Sequence, residues 1–452
     1  MTATGFIQES ENTVLIIGSG GREHALAMAL AHSPRVSRIS IAPGNPGMLW
    51  GIEKPVEFLN ISMQDVPALL QAARHLAPNL IVVGSEVPLA NGVIDRFTCE
   101  GFLAFGPSQA AAQLEASKSF AKSIMDDAHV ATARHDLVMA HMRPSQMKAL
   151  LETFTPPYVI KADGLAAGKG VTITADKNEA LLAIQQAFQA EQSSVLIEQF
   201  MPGQELSVLA VCDGEHAIIL PPAQDYKRLR NDQQGPNTGG MGAICPVSWV
   251  TRPLLNRVLN DVINPVLKTM KARGTPFRGV LYAGLMIDAD QNCSVVEFNC
   301  RFGDPETQVI LPLLDVDLYW LLSAAAQGDL TAILAILGDD PLALAFPKNS
   351  AITVVMAAPG YPENTQNHIP VTVFQDKCQQ DLWLLSAGLA QSPNEGWVSA
   401  GGRVINVVSV ASSLAEARVR AYDVVSQIGF DGAQWRTDIG GEPLPAFLPS
   451  DA

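Results

Sequence analysis

A chain of 452 residues, 48% of them hydrophobic, can bury substantial cores and should form two to four domains. Its formal net charge of −15 leaves no basic stripe for nucleic acid, which excludes a nucleic-acid partner. No apolar run approaches a membrane span, and the polar stretch Met1–Asn12 has no apolar signal core, so a soluble, cytoplasmic protein with no membrane partner is expected.

The first third alternates strand and helix signals. Val14–Ile17 is wholly apolar and runs into Gly18-Ser19-Gly20-Gly21, as a buried parallel strand entering a glycine turn does. A helix follows through Ala25, Leu26, Ala29 and Leu30, then a strand at Ile39–Ile41, a helix near Val66–Arg74 and a strand at Leu80–Val83. Such βαβ units predict a doubly wound parallel sheet, with ligands beyond the strand ends at Gly18–His24, Pro43–Gly47 and Gly84–Glu86. The glycine turn is not a dinucleotide fingerprint, because Glu23 stands where the third glycine belongs; a ribose phosphate or another small polar ligand fits better. His24 is open to two readings, a ligand contact or a packed side chain.

In the middle, strands Tyr158–Ala162 and Val171–Thr174 flank a loop, Asp163–Gly170, rich in Gly and Ala. No Ser or Thr follows Lys169, so this is no Walker A loop, yet glycine backbone beside Lys161 and Lys169 suits phosphate. An ordinary hairpin is the alternative. Val195–Phe200 reads as a strand whose backbone, beside Glu198 and Glu205, could meet an adenine and a ribose. Gln224–Arg228 is followed by Gly235–Gly242, expected to be irregular backbone close to a ligand or else a surface loop.

Ser294–Val296 then leads into Glu297-Phe298-Asn299-Cys300-Arg301-Phe302-Gly303-Asp304-Pro305-Glu306-Thr307-Gln308. On a strand, Glu297 and Asn299 share one face and offer hard oxygen ligands for Mg²⁺, while Arg301, Asp304 and Glu306 crowd the loop beyond. The alternative is a charged turn. Towards the C-terminus, Ala351–Ala358 and Val404–Val410 read as strands, and Ser413 with Glu416 caps a helix whose apolar face is Ala417, Ala421, Val424 and Ile428. Pro341–Lys348 is the expected boundary before them. The six cysteines (Cys99, Cys212, Cys245, Cys293, Cys300, Cys378) form no C-x-x-C pair and no zinc spacing, and are expected as reduced, mostly buried thiols.

Gly20–Ala25, Ala42–Asn45, Lys161–Gly170, Gly235–Gly242 and Glu297–Gln308 occur in one order, joined by Phe105–Pro107, Leu114–Lys118, Gly284–Met286, Val354–Ala358, Gly401–Val404 and Asp438–Gly440. On these motifs the chain resembles the phosphoribosylamine–glycine ligases of the ATP-grasp superfamily, nearly end to end. The resemblance implies an α/β fold in three parts. These are a doubly wound parallel sheet (1–115), an ATP-grasp domain (116–340) with a mobile lid at about 131–206, and a C-terminal α/β domain (341–452). It implies that ATP, with Mg²⁺ or Mn²⁺, joins glycine to 5-phosphoribosylamine through a glycyl phosphate in purine biosynthesis. The expected assembly is a monomer or weak homodimer.

The resemblance also distributes roles. Lys118, Lys161 and the loop Gly164, Gly168, Lys169 and Gly170 would hold ATP, with Glu198 and Glu205 at its adenine and ribose. Glu297 and Asn299 would bind the metal. Arg301, Asp304, Glu306 and Lys227 would serve the chemistry. Gly20, Glu23, His24, Gly44, Asn45, Asp225, Asn237 and Thr238 would hold substrate. The chain departs from the family at Tyr226, where a His is usual, and in a shortened 187–195 segment that bears on lid closure. An acid–base role for that His would be in doubt here, since an unperturbed Tyr titrates near ~10.

Overall fold

A computed structural model describes residues 12–165, 170–190, 193–373 and 381–441. The N-terminal strands Asn12–Gly18, Val36–Pro43, Val56–Phe58, Leu80–Val83 and Ala104–Phe105 form a five-stranded parallel sheet, as the βαβ pattern predicts. The first strand is apolar throughout because both of its faces are covered: Val14 and Ile16 enter one core, Leu15 and Ile17 another. It pairs with Val36–Pro43 on one side and Leu80–Val83 on the other, so chain order reverses there and a crevice opens at Gly18 and Gly84. Glu23 fills that crevice. A Cβ on Gly18 would stand 2.4 Å from Glu23 Cγ, and one on Gly84 2.1 Å from Glu23 Oε1.

Two antiparallel four-stranded sheets follow. The first orders His135–Met139, Ser194–Gln199, Tyr158–Ala162 and Val171–Thr174, and helices Pro144–Leu151 and Lys177–Gln189 share its small core. The second orders Ala217–Ile219, Gln204–Asp213, Arg278–Ile287 and Cys293–Asn299. The segment 341–348, expected as a boundary, is packed rather than free. Leu342 and Ala345 are buried in the central core, and the Pro341 carbonyl accepts from Ile219 N–H at 2.8 Å.

The C-terminal sheet runs Gln224–Asp225, Gly242–Cys245, Ser350–Ala357, Arg403–Ala411, Leu382–Ser386, so its first two strands come from the middle of the chain. Between them the expected irregular stretch is in part regular: Gln234–Asn237 pairs antiparallel with Arg228–Arg230. Pro236 is tolerated because each strand of this two-stranded ribbon has a free edge, where a missing N–H breaks no ladder. Helix Leu414–Val425 starts at Ser413, whose Oγ accepts from Glu416 N–H at 3.3 Å, and buries Ala417, Ala421 and Val424 against this sheet.

A buried seam joins the N-terminal and C-terminal sheets. His24 Nδ1 accepts from Ser386 N–H at 2.9 Å, which places the ring proton on Nε2, donated to the Trp50 carbonyl at 2.9 Å. His24 is 0% exposed, so the expected substrate contact is replaced by a structural one. Burial, only partly opposed by the Trp50 hydrogen bond, lowers its pKa from 6.5 to about 4. Between those values the unfolded chain binds a proton that the folded chain refuses, so stability falls as pH drops through this window. A His24→Gln variant should lose this sensitivity, up to about 3 kcal/mol between pH 7 and pH 4. Urea denaturation across that range, showing equal slopes for variant and parent, would remove His24 from the acid response.

Candidate active site

The lid sheet, the central sheet and the loops from both ends of the molecule enclose a cavity of about 450 Å³. At its inner end stands a buried ion triad. Glu198 receives Lys161 Nζ at 2.7 Å and Lys122 Nζ at 3.0 Å, and all three side chains are nearly inaccessible. Burial alone would raise the Glu198 pKa, but the two lysines outweigh it and hold the carboxylate below its ordinary range. Lys122 also donates to Thr132 Oγ1 (2.7 Å), which donates to the Val295 carbonyl (2.7 Å), and Lys161 donates to the Val296 carbonyl (3.1 Å). Glu198 lies in the cavity wall with its carboxylate between the two lysines. Met125, Val159, Val171, Ile173 and Met286 make the neighbouring wall apolar, which suits a planar base.

Lys118 opens the helix Lys118–Asp127 at the foot of the glycine loop. Asp163 ties that foot down: it accepts from Lys118 N–H (2.6 Å), Ser119 Oγ (2.6 Å), Ser194 Oγ (3.0 Å) and Gly164 N–H (2.9 Å). Lys118 Nζ donates to the Gly164 carbonyl at 2.7 Å, and burial lowers its pKa against the pull of Glu297 and Asp163. Gly164 and Gly170 line the cavity, whereas Gly168 and Lys169 lie outside the described residues.

Glu297 and Asn299 both line the cavity from the strand Cys293–Asn299, on the shared face that the strand reading predicts. Among the described residues no three His, Cys, Asp or Glu cluster into a self-sufficient metal site. One carboxylate and one amide fit an ion that completes its shell with phosphate and water. Arg301 is held between Glu115 (3.0 Å) and Glu86 (3.3 Å), with Asn299 Oδ1 at 3.4 Å. Burial works against its charge, yet the two carboxylates outweigh it and raise the Arg301 pKa, fixing the cation.

Beyond Arg301 the walls turn acidic. Glu306 accepts from Tyr282 Oη at 2.6 Å and lies 3.2 Å from Ser207 Oγ. Asp225 is pushed up to about 8 by burial, with Glu306 and Glu205 adding to the rise and Lys227 opposing it. Lys227 pairs with Glu205 at 3.0 Å, and the carboxylates around it outweigh its burial and raise its pKa. Glu205 thus faces Lys227 across the cavity wall. Thr238 is bound to the Lys227 carbonyl through both N–H and Oγ1 (2.8 Å each), with Asn237 beside it in the cavity wall.

The N-terminal residues have a different task. Gly20 N–H donates to Glu23 Oε2 at 2.7 Å, and Glu23 Oε1 meets Arg22 Nε at 2.6 Å. Gly44, at φ +67°, donates to the Gly18 carbonyl (3.1 Å), and Asn45 binds the Ser19 carbonyl (2.8 Å) and Gly47 N–H (3.0 Å). These four residues shape the crevice, while Arg22 reaches the cavity itself. Tyr226 is 1% exposed and turned into the C-terminal core, its Oη accepting from Gly440 N–H at 3.0 Å and its ring under Arg436. Its side chain therefore packs in the core and does not line the cavity. Glu115, Lys122, Tyr282 and Arg403 also line the cavity and were not among the expected site residues, whereas Arg22 and Glu86, which line it too, stand in loops expected to meet a ligand. Glu115 and Arg403 stand inside motifs that carried the resemblance, and that was their only signal.

Models of the phosphoribosylglycinamide synthetase N domain, ATP-grasp (A) domain and C domain match residues 12–115, 116–307 and 351–442. The phosphoribosylamine–glycine ligase of Streptomyces coelicolor is 43% identical over 96% of this chain and 100% of its own length. The chain belongs to the phosphoribosylamine–glycine ligase family. The ligase of Corynebacterium ammoniagenes is 42% identical over 94% of this chain and 97% of its own. Among solved structures, the phosphoribosylamine–glycine ligase of Thermotoga maritima superposes with a TM-score of 0.77 at 32% identity, covering 94% of this chain and 99% of that one. A biotin carboxylase domain from Hydrogenobacter thermophilus, in complex with MgADP, shares the fold at a TM-score of 0.70 and 15% identity, covering 95% of this chain and 92% of that one.

Two variants test this site. Glu198→Ala leaves two buried ammonium groups unpaired and should cost about 3–5 kcal/mol; an unchanged urea midpoint would mean the triad does not secure the lid. Tyr226→His should keep turnover while losing about 1–2 kcal/mol of stability. Lost turnover at intact stability would contradict the placement of Tyr226 outside the chemistry.

Proposed function

We propose that the cavity joins the carboxylate of glycine to the amine of 5-phosphoribosylamine at the expense of ATP. A carboxylate oxygen of glycine takes the γ-phosphoryl group, giving glycyl phosphate and ADP. The ribosylamine nitrogen then attacks the acyl carbon, a C–N bond forms, the C–O bond to phosphate breaks, and glycinamide ribonucleotide and phosphate leave. The observation that carries this reading is that one strand and the loop after it line the same cavity with Glu297 and Asn299 and with Arg301, Asp304 and Glu306.

Lys118 and the net positive Lys122–Glu198–Lys161 triad suit the nucleotide end, with the apolar wall for adenine. Glu297 and Asn299 would hold Mg²⁺ or Mn²⁺, which when bound neutralises phosphate charge. A fold relative that carries MgADP supports the nucleotide and the metal. Arg301, kept charged by Glu86 and Glu115, faces the place where the acyl phosphate accumulates negative charge. Glu306, oriented by Tyr282, and Asp225 offer oxygens to the N–H groups of the two amines, and Lys227 balances their charge. Asp304, near Gly20 of the N-terminal crevice, would hold the ribose phosphate side with Asn237 and Thr238 of the cavity wall. Closing the lid excludes water from the labile acyl phosphate. The reaction is placed in the cytoplasm.

Coupled ADP release tests the reading: turnover should require glycine and freshly generated phosphoribosylamine together, and ADP formation with a different acid or amine instead would refute it. Glu297→Ala should abolish metal-dependent turnover, by about 10²-fold or more, with the fold intact. Unchanged kcat at saturating Mg²⁺ would remove Glu297 from the metal site.

A further inference from the structure

Among the described residues, one that lines the cavity comes from the C-terminal domain, and nothing in the proposed reaction gives it work. Arg403 begins the strand Arg403–Ala411 and reaches back into the cavity, where its side chain is 19% exposed. Three of its contacts matter. Nη2 meets Asp304 Oδ2 at 2.9 Å, and Nη1 donates to the Asp304 carbonyl at 2.9 Å and to the Gly239 carbonyl at 2.6 Å. One guanidinium thus grips two loops that are far apart in sequence.

The Gly239 peptide is held from its other side as well: its N–H donates to Tyr361 Oη at 2.9 Å. There is no slack around it. A Cβ on Gly239 would stand 3.3 Å from both Arg403 Cζ and Tyr361 Oη, and one on Gly240 would stand 2.4 Å from Pro305 Cδ. Gly240, at φ +106°, takes a backbone conformation that few L residues adopt. The loop of Asn237 and Thr238 is in this way pressed between Pro305 and the Arg403–Tyr361 pair. Asp304 has its remaining oxygen fixed by Gln308 Nε2 at 2.6 Å, and its Oδ2 lies 3.6 Å from where a Gly20 Cβ would be. The carboxylate therefore faces the glycine crevice of the N-terminal sheet and not the nucleotide end.

We propose that Arg403 is a positioning residue which, with Tyr361, locks the Asp304 and Gly239 loops into one rigid wall of the phosphoribosylamine subsite. The inference rests on the ligase reading and adds to it a task for the C-terminal domain: setting the affinity for the amine substrate without touching ATP. The forked geometry is what this needs, because a guanidinium can bind a carboxylate and two carbonyls at fixed angles and a lysine cannot.

Steady-state kinetics of Arg403→Met, Arg403→Lys and Tyr361→Phe, with each substrate varied in turn, tests the role. Arg403→Met should raise KM for phosphoribosylamine about tenfold and leave KM for ATP within about twofold. Arg403→Lys should recover part of that loss, and Tyr361→Phe should give a smaller rise in the same KM. Equal rises for all three substrates, or an unchanged phosphoribosylamine KM, would overturn the role. Should Arg403→Met fail to fold, Tyr361→Phe decides, since it deletes one hydroxyl at a half-exposed position. Failure of the ligase reading would show separately, as absent phosphoribosylamine-dependent ADP release in the unsubstituted protein, and would take this inference with it.

Discussion

The pairing of one buried carboxylate with two buried ammonium groups is the constraint around which the cavity is arranged. Glu198 comes from the lid sheet, Lys161 from the neighbouring lid strand and Lys122 from the helix beneath, and the lysines also bind carbonyls or hydroxyls that lead to Val295 and Val296. Desolvating three charges is costly, and the cost is tolerable only because each has a partner at hydrogen-bonding distance. The geometry therefore fixes where the lid meets the strand that carries Glu297 and Asn299. It leaves a surplus positive charge at that end of the cavity.

A second electrostatic pattern runs along the cavity. Cationic groups are each bracketed by carboxylates: Arg301 by Glu86 and Glu115, Lys227 by Glu205 and Asp225, Arg403 by Asp304. Such pairing keeps the cations charged and immobile before substrate arrives, so little reorganisation is left for the moment of reaction. Asp225 departs from the pattern: burial, with Glu306 and Glu205 near it, raises its pKa against the pull of Lys227.

Much of this was legible in the sequence where local pattern decides. The apolar run Val14–Ile17, the flanking strands of the glycine loop and the alternation that puts Glu297 and Asn299 together all follow from periodicity. What was not legible depends on partners distant in sequence. His24 was open to a ligand contact or a packed side chain from its spacing, with the resemblance pointing to the first, and only its partners Trp50 and Ser386 show it to be a buried strut. Tyr226 adjoins Lys227, yet its ring packs in the C-terminal core, under Arg436. Lys122 carries no motif of its own and is defined entirely by Glu198. Gln234–Asn237 was hidden by Gly and Pro, whose strand-breaking tendency is overridden at the free edge of a ribbon.

The C-terminal sheet draws two of its strands from the middle of the chain, and this bears on how the protein is made. During synthesis Gly242–Cys245 emerges long before Ser350–Ala357, the strand that will cover its open edge, with Gly242 waiting for Val354 and Cys245 for Ala351. Until then an apolar strand offers unpaired N–H and C=O groups to any other chain nearby. The closing of that edge is a late, long-range event. A ribosome stalled between the two strands would release a nascent chain prone to aggregate, and a gene cut at the same place would encode a fragment with the same exposed edge.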